Sequence, residues 1–188
     1  MEKNLSSMLN QKVEVLRLWK SDGGFSWILD HRRWADVDPD AGWNLFSLEG
    51  VGNRGATVVV RSAPSLTRHQ ALRWNGQFLL PTSIVQGPDR DRLVVKAALC
   101  TPVECQKDAH LETAGIKFPG VLTEKYIGHE QLDPLAVVTR DYVLVTPKQV
   151  TLAPGSWVIC AGAYYRVLVP HELDEYKNEY EIRRKEDC

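Results

Sequence analysis

The chain has 188 residues, 44% of them hydrophobic and 25% charged, and a net charge of −1. This is the make-up of a soluble globular protein of one domain or two small ones, and it argues against binding to nucleic acid or membrane by overall charge. The N-terminus lacks the basic and apolar regions of a secretory signal, no run approaches the roughly 18 apolar residues of a spanning helix, and four cysteines are too few for a disulfide scaffold, so reduced thiols in a cytoplasmic setting are expected.

In chain order, residues 4–20 begin with polar capping candidates and place Leu5, Met8, Leu9, Val13 and Leu16 at near-helical spacing. Lys12 to Trp19 partly alternates, which predicts a short N-terminal helix giving way to a strand before the turn at Ser21-Asp-Gly-Gly24. Residues 25–50 then carry Trp27, Trp34 and Trp43 among His31-Arg-Arg33 and Asp36-Val-Asp-Pro-Asp40. The reading is a Trp-rich irregular lobe, either a local core or, because interface centres favour Trp and Arg, a surface that docks a partner through those three tryptophans.

Beyond Gly50 the chain turns strongly β. Ala56-Thr-Val-Val-Val-Arg61 is a β-branched run bounded by glycine, and residues 66–84 contain Asn75-Gly76, the two-residue signal of a tight hairpin. Pro88-Asp-Arg-Asp-Arg92 turns the chain into Leu93 to Leu99. Residues 106–120, with Gly115 and Pro119-Gly120, read as a linker. Ala136 to Val145 is a further strand or strand pair, and Trp157 to Pro170 with Tyr180 to Arg184 forms an antiparallel meander turning at Gly162, with a helical turn expected at Glu172 to Lys177. The domain expectation is a helix, strand and Trp lobe over 1–50, a β-module over 51–105, the linker, and a second β-module over 121–188.

The two meanders echo one another. Setting Gly76 on Gly162 pairs Phe78 with Tyr164, and a one-residue gap brings Leu93-Val-Val-Lys against Tyr180-Glu-Ile-Arg. The expected fold is therefore mainly β, with small antiparallel barrel or sandwich modules that are duplicated.

Chemistry is harder to find. Gly50, Gly52 and Gly55 precede a strand rather than a helix, which disfavours a nucleotide cofactor. Asp36, Asp38 and Asp40 alternate as in calcium loops, but Pro39 intrudes and the glycine and distal glutamate of an EF-hand are missing. Cys100, Cys105 and His110 have metal-like spacing without an evident fourth ligand. The five histidines are scattered, no serine, cysteine or carboxylate stands in a recognisable nucleophile context, and so no enzyme activity, no catalytic residue and no cofactor is expected.

Trp74-Asn-Gly76, Ser83-Ile84, Asp89-Arg-Asp-Arg92 and Leu93 to Ala97 resemble the head-tail joining (head-closure, stopper or neck) proteins of tailed bacteriophages. So do Gly155-Ser-Trp-Val, Gly162-Ala-Tyr-Tyr-Arg-Val and the terminal acidic turn with Tyr-Glu-Ile. The resemblance covers residues 55–100 and 136–184; the Trp-rich segment has no counterpart in it. It implies a structural virion protein, assembled in the host cytoplasm, that forms a homo-oligomeric ring between a portal or adaptor protein and a tail terminator or tail tube protein and helps retain packaged DNA. Charge separation agrees with a head-to-tail ring. Asn53 to Arg73 holds four arginines (Arg54, Arg61, Arg68, Arg73) and no acid, whereas His171 to Cys188 holds seven acidic and four basic residues, Glu172, Asp174 and Glu175 among the acids. Those arginines would face DNA phosphates or a neighbouring subunit, and those acids a neighbouring subunit. The alternative is a cytoplasmic nucleic-acid-binding β-barrel with the arginine stripe beside Trp74, Phe78 or Tyr164 as a stacking surface.

Overall fold

A computed structural model describes residues 9–44, 53–107, 115–124 and 141–185 of the chain. Every regular element among them is a strand: β1 (Gln11–Ser21), β2 (Gly24–Asn44), β3 (Asn53–Arg61), β4 (Gln70–Trp74), β5 (Gln77–Gln86), β6 (Arg92–Cys100), β7 (Val103–Lys107), β8 (Ile116–Glu124), β9 (Asp141–Pro147), β10 (Trp157–Cys160), β11 (Ala163–His171) and β12 (Lys177–Arg184). The protein is mainly β, as its β-branched runs require. Residues 1–8, where most of the expected helix falls, lie outside the described residues; from Gln11 the chain is already β1.

Two sequence expectations are corrected. The Trp-rich segment is not an irregular lobe: Gly24 to Asn44 is one long strand. Arg33, Ala35 and Val37 are buried while Arg32, Trp34 and Asp38 are exposed or nearly so, the period-two alternation of a half-buried strand. Pro39, which cannot donate to a ladder, sits where the β2/β3 register shifts, between Pro39 and Trp43. Likewise Glu172 to Tyr176 makes no helical turn. Asp174 Oδ1 accepts from the backbone N–H of Tyr176 at 2.7 Å and of Lys177 at 3.2 Å, a side-chain-capped turn that competes with helix. The residues read as a linker include the end of β7 and the start of β8, with 108–114 outside the described residues.

The chain divides into two compact units. The first comprises Met1–Ser21, Phe25–Phe46 and Gly52–Thr101; the second comprises Asp22–Gly24, Ser47–Val51 and Pro102–Cys188. Within the first, the pairings run β1-β4-β5-β6-β3-β2, and β2 pairs with β1 again, so the cycle of ladders closes. Within the second they run β7-β10-β11-β12-β9-β8, and β8 and β7 pair, with β8 and β9 pairing as well. Adding six to each strand number of the first cycle gives the second.

Each unit fills its interior from alternate residues. In the first, Val13 and Val15, Ala35 and Val37, Ala56, Val58 and Val60, Leu72, Leu79, and Val95 and Ala97 form one buried cluster, and Leu66 from the β3–β4 connection joins it. In the second, Cys105, Phe118, Leu144, Val158, Cys160, Tyr165, Val167, Tyr180 and Ile182 are buried. Tyr142 meets Tyr165 edge-on at 5.5 Å. The Tyr180 hydroxyl accepts from the Leu152 N–H at 3.2 Å and donates to Glu172 Oε1 at 2.9 Å, which pins the β9–β10 connection.

The ladders align the two units residue by residue. Asn75 and Gly76 have φ of 48° and 78°, and Ala161 and Gly162 have 49° and 82°, so both central hairpins turn through two positive-φ residues. The register then slips once in each copy, between Pro81 and Ser83 and between Val167 and Val169, the same distance past the glycine. From Pro81 the pairing leads to Ala97 and Ala56, and from Val167 to Ile182 and Tyr142. One step on, Val58 pairs with Val95 and Val37, and Leu144 with Tyr180 and Leu122. Val95 thus corresponds to Tyr180, where the sequence alignment set Leu93. The connection before the last strand is one residue shorter in the second copy, not one longer. On the next strand Val37 corresponds to Leu122, Ala35 to Gly120, and Arg33 to Phe118.

Candidate anion-binding cleft

The residues singled out from the sequence do not form one surface. Arg54 and Arg61 lie at opposite ends of β3, seven residues and roughly 23 Å apart along the strand, and the odd spacing directs them to opposite faces. Arg68 is exposed in the β3–β4 connection. Arg73, on β4, is held by Glu14 of the neighbouring β1, with Nη2 to Oε2 at 2.6 Å. Arg32 binds the other oxygen of the same carboxylate at 2.9 Å. The bonds from Arg32 and then Arg73 hold the Glu14 carboxyl below its ordinary pKa. Two of the positive charges near β1 therefore share one carboxylate.

The acidic set has local partners. Glu172 accepts from Tyr180, and Asp174 shapes the turn before β12; Glu175 is exposed. Trp27 packs at 5.7 Å against Phe78, whereas Trp34, seven residues on and on the other face, is 53% exposed with the Lys12 ammonium 5.1 Å from its ring centre. The Trp43 side chain lies outside the described residues; its backbone pairs with Arg54. His110 also lies outside them. Cys100 is largely buried, and desolvation pushes its thiol up to about 12. Cys105 and Cys160 face each other across β7 and β10 as free, buried thiols; the hydrogen bond with Cys105, followed by desolvation, raises the Cys160 pKa.

What the structure brings together is a different set. In the first unit an open cleft of about 730 Å³ is lined by His31, Arg32, Arg33 and Trp34 of β2, by Arg61 at the end of β3, and by Pro64 just beyond. Among the described residues lining it there are three arginines and no carboxylate. The Arg33 residue is only 9% exposed because its position, in phase with Ala35 and Val37, directs it inward. Its Nη2 donates to the carbonyl oxygen of Arg61, and its buried Nη1 has no partner among the described residues. Burial lowers its pKa, the direction expected of a cation short of water and counter-ion. An unpaired buried charge of this kind costs on the order of a few kcal/mol. His31 is held through Nδ1 at 3.1 Å from Asp30 Oδ2, leaving a buried Nε2 also without a partner among the described residues.

In sequence, His31-Arg-Arg33 reads only as charge interleaved among the tryptophans of a local core or a docking surface. The available signal was the phase: Arg33, Ala35 and Val37 share a strand face, so an arginine stands at a core position. Arg61 was named for its neighbours in sequence, and the fold instead places it beside Arg33. Compared with protein families, curated proteins and solved structures, the chain has no match.

Proposed function

We propose that the chain is a structural neck protein of a tailed phage, two fused copies of a small antiparallel β-barrel, which assembles as a ring between head and tail. The observation that carries this reading is the duplication: both units share one strand order, one positive-φ hairpin and one register slip at the same offset. Those hairpins, with the strand pairs after them, are the segments that resemble head-closure proteins in sequence. A cycle of antiparallel ladders that returns to its first strand leaves no open sheet edge, which suits a barrel subunit that packs by its faces. The portal or adaptor would lie on one side and the tail on the other, with packaged DNA in the lumen, and the protein would do no chemistry.

The test is assembly. Electron microscopy and sedimentation of the purified chain should show closed rings, alone or on addition of portal-bearing heads. A chain that stays monomeric at high concentration and ignores both heads and tails would sink the proposal.

A further inference from the structure

We propose that the cleft between residues 31–34 and 61–64 of the first unit is a binding site for a phosphoryl group, with Arg33 and Arg61 as its cationic pair. Sorting the charges around it isolates these two residues. Arg32 is committed to Glu14, and Lys12 lies over Trp34. Arg61 is exposed and has no ion-pair partner among the described residues, and Arg33 is buried with one nitrogen unused. Arg33, directed inward, is tied to the backbone carbonyl of Arg61, whose own side chain is exposed, and both residues line a cleft whose described lining carries no negative charge.

The second unit supplies the control. Following the ladders, the position of Arg33 is taken there by Phe118, 1% exposed, and that of Arg61 by Pro147. The same architecture is therefore complete with apolar residues at both positions, and neither arginine is needed to build it. What the first copy has in their place is a pair of charges without a counter-ion among the described residues, and an anion is the ligand that completes them.

The chemistry favours phosphoryl over carboxylate. A single guanidinium fork saturates a carboxylate, whereas tetrahedral phosphoryl oxygens can bridge two guanidinium groups that come from different strands. The open cleft, at about 730 Å³, has room for more than a bare phosphate, so a phosphoryl group carried on a larger body fits it as well. A mononucleotide and a stretch of DNA backbone both present that group.

The experiment titrates the full chain, in chloride buffer, with pyrophosphate, 5′-dAMP and a 20-base-pair duplex, reading thermal shift and calorimetric heat. Saturable binding of at least one probe is expected, weakened about tenfold by Arg61→Ala, whose exposed side chain can be removed without disturbing the core, and by Arg33→Met. Arg73→Ala, already pinned to Glu14, should leave it unchanged. Binding by the small phosphates, with competition against the duplex, marks a mononucleotide-sized site; binding by the duplex alone marks backbone recognition, and both support the proposal. No saturable binding by any probe, or equal binding by Arg61→Ala, overturns it. The inference goes beyond the ring reading: a chain that forms rings yet binds no phosphate sinks this site alone.

Discussion

Arg33 and Phe118 occupy one position in two copies of the same fold, and the contrast separates what the architecture demands from what the first unit adds. Both lie on the inward face of the second strand of their unit, two residues before a small residue, Ala35 or Gly120, and four before an aliphatic one, Val37 or Leu122. In the second unit that position satisfies packing with a buried ring. In the first it holds a guanidinium that donates to a backbone carbonyl and leaves a nitrogen unpaired among the described residues. A position that accommodates an aromatic core residue in one copy does not need a cation for the architecture to form.

Exchanging the residues tests this most severely. Phe118→Arg should cost about 4 kcal/mol or more, because it puts a charge at a fully buried position opposite Cys105, and little soluble protein should accumulate. Arg33→Leu should do the reverse, raising stability by about 1 kcal/mol or more in a thermal or urea melt, as when buried ionic groups give way to hydrophobic ones. Should Arg33→Leu be markedly destabilised instead, the bond to the Arg61 carbonyl is structural and the contrast loses its meaning.

The neighbouring pair sharpens the comparison at smaller scale. A Cβ at Gly120 would lie 2.8 Å from Leu144 Cδ1 and 2.9 Å from Cys105 Sγ, so Gly120→Ala should cost about 1–2 kcal/mol by overpacking. At the equivalent position Ala35 is already accommodated, fully buried against valines. Ala35→Gly should cost about 1 kcal/mol, through backbone entropy and a lost methyl. Equal melting temperatures for Gly120→Ala and the parent chain would mean that the second interior is looser than its contacts suggest.

The contrast also explains what sequence reading could and could not reach. The hairpin at Asn75-Gly76 was legible because two adjacent positive-φ positions have a chemical signature, and the β-branched runs of β3 and β6 were legible for the same local reason. The first 44 residues were harder, since an arginine at the core position 33 and a proline at 39 disguise the alternation of β2. The arginine stripe failed differently. Arg54, Arg61, Arg68 and Arg73 are close in sequence, but strands separate neighbours and ladders join distant residues. Glu14, fifty-nine positions away, is the partner of Arg73. The pairing of β3 with both β2 and β6, which closes the first cycle and brings Arg61 beside Arg33, is long-range and leaves no local mark.

The two-residue turns of the central hairpins differ in one residue, and that difference predicts the smallest effects. At Gly76 and Gly162 a Cβ meets nothing within 4 Å, so alanine at either site is opposed by backbone conformation alone and should cost about 1 kcal/mol in each unit. The preceding residue is Asn75 in one copy and Ala161 in the other, both near φ of 48°. Asparagine tolerates this region because its short polar side chain bonds locally, whereas alanine has only the steric cost. Ala161→Asn should therefore stabilise the second hairpin by about 0.5 kcal/mol, and Asn75→Ala should destabilise the first by a similar amount. Because φ is shared and only the side chain changes, opposite shifts in melting temperature would show that the two turns are energetically one element; shifts of the same sign would mean that neighbouring strands, not the turn, set the cost.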